Sequence, residues 1–198
     1  MAEIKEGYDR VTAILDFFHE PGLVDWMLKV GKTEAKAQSK LATNCGTLVD
    51  KWVKAFVKGE KLPKLTSKES ENAVEGFKMF YEDYNKPVLM VAERLYDEDR
   101  KLTGEPDLYM NGMILDIKCS RQIRPKYWLQ TAQYRRMFYK DAGKTAILRL
   151  DKNLADYQLE INEDCSLEQS IFDGLLSAYR YYTFNDKDIE ECQQNTSF

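Results

Sequence analysis

An Asn-Gly pair between two apolar runs is the strongest short-range signal for a two-residue type I′ hairpin, because both central residues of that turn need positive φ. The pair stands here at Asn111-Gly112, inside GEPDLYMNGMILDIK, residues 104–118. Counting outward from the turn, Met110 faces Met113, Tyr109 faces Ile114, Leu108 faces Leu115 and Asp107 faces Asp116. Directly opposed residues carry Cβ atoms about 4.5 to 5.5 Å apart, and like charges there weaken a sheet, so stability alone does not favour this pair. Side chains alternate along a strand. One face of the ribbon therefore holds Asp107, Tyr109, Ile114, Asp116 and Lys118, and the other holds Leu108, Met110, Met113, Leu115 and Ile117. The wholly apolar face requires a core, which is expected to turn the acidic face outward.

Two opposed carboxylates are hard oxygen ligands, and Mg²⁺ characteristically takes one or two of them and completes its shell with water and phosphate. A bound cation would remove the like-charge penalty. Lys118, two residues beyond Asp116 on the same face, would then lie beside a phosphate and its attacking water, placed to steady developing charge.

These residues resemble the signature of the PD-(D/E)XK nuclease superfamily: Pro106-Asp107, then Asp116-Ile117-Lys118. Gln130 and Tyr134, four residues apart, are similar to the glutamine-tyrosine motif of its RecB-like and phage-exonuclease-like branch. Gly46-Thr47-Leu48-Val49-Asp50 resembles that branch's GTxxH stretch, with Asp50 where a histidine often joins the metal shell. Asp50 reads equally well as a ligand or as a solvated helix residue. The resemblance implies Mg²⁺ or Mn²⁺ on Asp107, Asp116 and the Ile117 carbonyl, with Glu93 completing the carboxylate cluster; a strand-end glutamate is otherwise commonly just exposed. It also implies that Gln130 and Tyr134 border the site and help hold phosphate or Lys118, where the generic expectation is a core-edge pair. Some members carry an iron-sulfur cluster on one early and three closely spaced late cysteines. Cys45, Cys119, Cys165 and Cys192 depart from that pattern, so a cluster is not expected and reduced thiols are.

A net charge of −4 argues against indiscriminate nucleic-acid binding, so affinity for phosphate must come from local charge. From Lys118 to Lys140 the charged residues are Lys118, Arg121, Arg124, Lys126, Arg135, Arg136 and Lys140, and no acid interrupts them. Tyr127, Trp128, Tyr134, Phe138 and Tyr139 are interleaved, as stacking on single-stranded bases would need. Taken alone, the segment reads as an amphipathic helix with a solvated basic face. Directly after the carboxylate hairpin, it becomes a candidate DNA track, with Arg121, Arg124, Lys126 and Arg135 as phosphate contacts.

Apolar spacing predicts helices over 7–18, 23–30, 38–58, 67–84, 125–143 and 167–182, with Ser67 as a start signal, Pro125 in a first turn and Gly143 as a C-terminal cap. Strands are predicted at 88–92, in the hairpin, and at 146–150 and 157–161. His19, the single histidine, reads as structural or exposed. This order gives an α/β or α+β fold. The resemblance implies a restriction-endonuclease-like core, a central mixed β-sheet flanked by helices, with motifs over 38–161 inside one domain of residues 1–184. Residues 185–198 read as a polar, flexible tail. The charged start and the lack of a long apolar run point to a cytoplasmic protein, or one in host cytoplasm if viral, with no membrane partner.

The leading expectation is a metal-dependent deoxyribonuclease, an exonuclease of recombination, repair or phage DNA processing. Its partners would be linear DNA ends, single- or double-stranded, with room for a homo-oligomer and for a single-strand annealing or recombination partner. The alternative from another class is a catalytically silent DNA-end-binding or partner-binding module on the same fold.

Overall fold

The computed structural model describes residues 4–138 and 143–195, and the side chains of all of these except residues 21 and 185–195. The elements run β1 (Asp9–Arg10), α1 (Val11–Phe17), α2 (Pro21–Val30), α3 (Lys32–Lys58), α4 (Lys68–Tyr84), β2 (Val88–Val91), β3 (Leu95–Asp97), β4 (Leu102–Gly104), β5 (Leu108–Met110) and β6 (Met113–Lys118). They continue with α5 (Pro125–Met137), β7 (Lys144–Asp151), β8 (Asp156–Asn162) and α6 (Ser166–Asn195).

The hairpin forms in the predicted register, Leu108 on Leu115, Tyr109 on Ile114 and Met110 on Met113. Asn111 and Gly112 both take positive φ, 51° and 72°, as a type I′ turn requires. The hairpin sits inside a five-stranded sheet of order β2-β5-β6-β7-β8. The β6–β7 pair is parallel and the others are antiparallel, so the sheet is mixed. A parallel pair needs a crossover, and α5 supplies it. A smaller sheet of order β1-β4-β3 flanks the main one.

The outward-facing expectation for the acidic side of the hairpin is corrected. Tyr109, Ile114 and Asp116 of the second face are buried, because α5, as the crossover between parallel strands, covers it, while Asp107 and Lys118 at its edge stay partly exposed. Leu108, Met110, Met113 and Leu115 join Val49, Trp52, Val53, Phe77 and Phe80 of α3 and α4 in one core cluster. Tyr109 and Ile114 join Val11 and Ile14 of α1, Tyr134 of α5 and Phe172 of α6 in the other. The alternation held, but both faces found a layer to pack on.

Other boundaries moved for local reasons. The expected helix over 7–18 begins at Val11, since Asp9 and Arg10 pair with Leu102 and Thr103 of β4. Residues 32–37 extend α3 beyond its expected start. Ser67 caps α4 with its hydroxyl accepting from the Ser70 N–H at 3.2 Å, and Ser70 returns the bond, a capping box. Gly143 does not cap α5: the helix ends at Met137, with Phe138 in an extended conformation. The backbone of α6 is helical to Asn195, past the expected end at 182, and the side chains of the expected tail, Cys192 included, lie outside the described residues, as do Tyr139 and Lys140. Among the described residues, no helix is long and apolar enough to cross a membrane.

Candidate active site

Four elements converge where β6 leaves the sheet. α3 brings Asp50 and Lys54, the entry to β5 brings Glu105 and Asp107, β6 brings Asp116 and Lys118, and α5 brings Gln130 and Tyr134. The regular ladder stops at Leu108, one residue short of Asp107. The Asp107 carboxylate instead takes the backbone N–H of Ile117 at 2.7 Å, which fixes it alongside Asp116. Its own carbonyl accepts from Ala92 N–H at 2.9 Å, tying β2 to the same point.

Asp116 is 1% exposed, a charge placed in the core layer under α5. Lys118 Nζ lies 2.5 Å from Asp116 Oδ2 and donates to Gln130 Oε1 at 3.2 Å. The Gln130 amide nitrogen donates to Asp116 Oδ1 at 3.1 Å and to the Tyr134 hydroxyl at 2.8 Å. Gln130 thus holds the lysine with its oxygen and the aspartate with its nitrogen, one turn from the buried Tyr134 that anchors it. Gly104 makes room for that anchor, because a Cβ there would run into the Tyr134 ring and come within 3.0 Å of the Met137 methyl. Lys118 Nζ also lies 5.1 Å from the centroid of the Tyr127 ring.

Burial raises the Asp107 carboxyl to about 7, and the neighbouring Asp116 charge adds to the rise. Burial also raises Asp116, against the opposing pull of Lys118. Lys118 is raised: burial acts to lower it, but the Asp116 and Asp107 carboxylates outweigh that. Tyr134 is raised by burial and then by the Asp116 charge, so it stays a neutral phenol at ordinary pH. Two carboxylates that disfavour each other's charge are the arrangement that a proton, an ammonium or a metal ion relieves.

The donor set fits a divalent cation of the hard, oxygen-seeking type that keeps water and phosphate in its shell. Asp116 Oδ2 is buried against the Lys118 ammonium at 2.5 Å, and Asp107 Oδ1 has Lys54 Nζ no closer than 4.0 Å. The set does not amount to an all-protein cage: among the described residues, no group of three or more His, Cys, Asp or Glu could hold a metal ion.

Asp50 reaches the site through Lys54, whose Nζ stands 2.9 Å from its carboxylate. Glu93 follows directly on Ala92, whose N–H donates to the Asp107 carbonyl, but its side chain bonds none of the described site residues. Ala92 at φ 50° turns the chain out of β2, and the Glu93 side chain is exposed, with no hydrogen bond or ion pair among the described residues. Glu105 is engaged there, within 3.8 Å of Lys54 Nζ and 2.8 Å of the Arg94 guanidinium. Lys54, Glu105 and Arg94 escaped the sequence reading. Two of them carried a usable signal, Lys54 standing one helical turn after Asp50 and Glu105 two extended residues before Asp107.

The basic track is largely committed elsewhere. Arg124 pairs with Glu20 at 2.7 Å, Lys126 lies 3.4 Å from Asp16, and Arg135 donates to the Glu163 carbonyl at 2.7 Å. Tyr134 and Phe138 are core residues. Arg121 is exposed and makes no hydrogen bond or ion pair among the described residues. With Trp128 and Arg149 it lines a groove of about 570 Å³, which begins beside the site because Arg149 is the cross-strand neighbour of Lys118. Of the cysteines, Cys45, Cys119 and Cys165 are free thiols, and burial pushes Cys119 up to about 12.

Neither a protein-family model nor a curated protein matches the sequence. Among solved structures, the chain is similar to an alkaline exonuclease from Laribacter hongkongensis, with a TM-score of 0.54 at 10% identity over 96% of this chain and 94% of that one. The same exonuclease in complex with dAMP gives 0.53 at 11% identity over the same shares of the two chains. A phage-related exonuclease from Haemophilus somnus 129PT gives 0.44 at 17% identity, over 74% of this chain and 82% of that one. At these identities the likeness is one of fold: among the described residues, six helices packed around mixed sheets, as in nuclease-fold proteins.

Proposed function

We propose that this chain is a metal-dependent deoxyribonuclease of the PD-(D/E)XK type, a DNA exonuclease that hydrolyses phosphodiester bonds at linear ends in the cytoplasm. The observation that carries the reading is the pair of half-buried Asp107 and buried Asp116 with Lys118 locked beside it by Gln130. A fold held in common with solved exonucleases supports it, and so does the deoxynucleotide bound by one of them. Mg²⁺ or Mn²⁺, when bound by Asp107 and Asp116 with the Ile117 carbonyl, supplies charge to polarise the phosphate and acidify water. The chain's own residues do the rest. The Lys118 ammonium stabilises charge growing on the phosphate and orients the nucleophile, and Gln130 keeps the ammonium aimed. Glu93 assists only if the loop after Ala92 turns inward, and Asp50 acts from the rim through Lys54. Recombination, repair or phage DNA processing would employ such an activity, with a single-strand annealing protein or further copies of the chain as partners.

End-labelled linear DNA and covalently closed circular DNA, each incubated with Mg²⁺ and with Mn²⁺, test this. The linear form is expected to be degraded and the circle spared, while the Lys118→Ala protein loses at least about a hundredfold in rate. Intact DNA of both forms with either metal would remove the proposal. One observation favours a second reading, a catalytically silent DNA-end-binding module on the same fold: each carboxylate of the pair already faces an ammonium, Asp116 at 2.5 Å from Lys118 and Asp107 at 4.0 Å from Lys54. A silent module would bind DNA ends equally well as wild type and as Asp116→Asn, and would cleave none.

A further inference from the structure

Lys54 projects from α3 into a ring of carboxylates drawn from two elements. Its Nζ is 2.9 Å from Asp50, 3.8 Å from Glu105 Oε1 and 4.0 Å from Asp107 Oδ1. The side chain is 23% exposed, so this is a half-desolvated charge with three acids about it, unlike a solvated surface pair. Asp50 lies one helical turn away and fixes the ammonium from below. Glu105 is shared with Arg94 at 2.8 Å, which holds that acid in place from its far side. On the opposite flank, Lys118 Nζ is 2.5 Å from Asp116. Each aspartate of the candidate pair therefore faces an ammonium of its own chain, and the two lysines come from elements with no sequence proximity.

We infer that Lys54 is an internal counter-ion that competes with the divalent cation for Asp107, so that the free protein holds the metal weakly and takes it up fully only when a DNA phosphate arrives. The inference rests on the metal-dependent reading above and deepens it. Asp107 lies 4.0 Å from the Lys54 ammonium and also feels the Lys118 charge, and a dication at the same carboxylate would have to sit close to the Lys54 ammonium. Like charges a few ångströms apart in a partly buried site repel by more than thermal energy. A phosphate brings negative charge that neutralises both cations at once, which removes the repulsion. Lys54 is thus a positioning residue: it sets when the site fills, and Asp107, Asp116 and Lys118 touch the reacting groups.

Binding of Mn²⁺ to the full chain without DNA, followed by titration calorimetry, tests this. Lys54→Met is expected to bind Mn²⁺ about tenfold more tightly than wild type, and Lys54→Arg, which keeps the charge, to match wild type. Lys54→Gln, which keeps a donor toward Asp50 but no charge, is expected to tighten as Lys54→Met does, and it stands in should the methionine protein not fold. Equal affinity in all of these proteins, weaker binding in the uncharged variants, or no binding in any overturns the inference. The readout contains no cleavage step. Tightened Mn²⁺ binding in a protein that cuts no DNA keeps the counter-ion and removes the nuclease reading, whereas DNA cleavage with unaltered Mn²⁺ affinity removes the counter-ion alone.

Discussion

At the scale of single residues, Asp107 concentrates the energetics of this molecule. Its carboxyl rises to about 7 in the folded chain through burial and the Asp116 charge, against about 3.9 in an unfolded one. The folded state therefore binds more protons than the unfolded state between those two values, and metal-free stability falls as pH climbs from about 4 through 7. The stabilising contribution is complete below the unfolded value and lost above the folded one. Asp107→Asn removes the titration but keeps an oxygen for the Ile117 N–H. Its unfolding free energy from urea titrations should be flatter across that pH window than wild type and higher at pH 8, by a few kcal/mol at most. A wild-type protein equally stable at pH 5 and pH 8 in chelator would contradict this. Gln130 illustrates the same economy in a neutral group, since one amide orients an ammonium and a carboxylate together.

At the scale of elements, the site depends on how closely α5 approaches β4. Gly104 lets the Tyr134 ring lie against the strand, and Tyr134 in turn receives the Gln130 amide. Gly104→Ala would push a methyl into a buried aromatic ring, which costs about 1 to 3 kcal/mol in overpacked cores. The thermal midpoint should drop accordingly. Activity on DNA should fall further than stability accounts for at a temperature where the variant is fully folded, because Gln130 loses its anchor. The hairpin was legible from its Asn-Gly turn to its register, since the turn alone sets which residues meet. β1, β3 and β4 were not: runs of two or three residues carry no usable period, and their strand geometry comes from pairing with one another.

At the scale of the whole molecule, charge is distributed differently from its order along the chain. Arg121 is left with its guanidinium in solvent beside the Trp128 groove, whereas Arg124 is bonded to Glu20 of the loop before α2. Arg121→Ala should weaken DNA binding by about the share of one phosphate contact and lower the slope of log affinity against log salt by about 1. Arg124→Ala should leave that slope nearly unchanged. Fluorescence anisotropy on a labelled linear duplex between low and physiological salt separates them, and equal slopes for the two variants would show that the track acts as a single basic face.

The amino-acid sequence by itself determined the hairpin, its register from Leu108 on Leu115 to the turn, the presence of Lys118 two residues beyond Asp116, and the alternation of apolar and chemical faces. All of these follow from local rules, a turn that requires positive φ and a period of two. Only the tertiary structure decided that the chemical face lies under α5, that the Glu93 side chain stays exposed while Glu105 and Lys54 come in, and that Arg124, Lys126 and Arg136 of the basic track pair with Glu20, Asp16 and Asp173. Those outcomes depend on which distant elements pack together. Burial, ion pairing and the shifts in acidity they cause arise from neighbours far away along the chain, and no short stretch of residues encodes them.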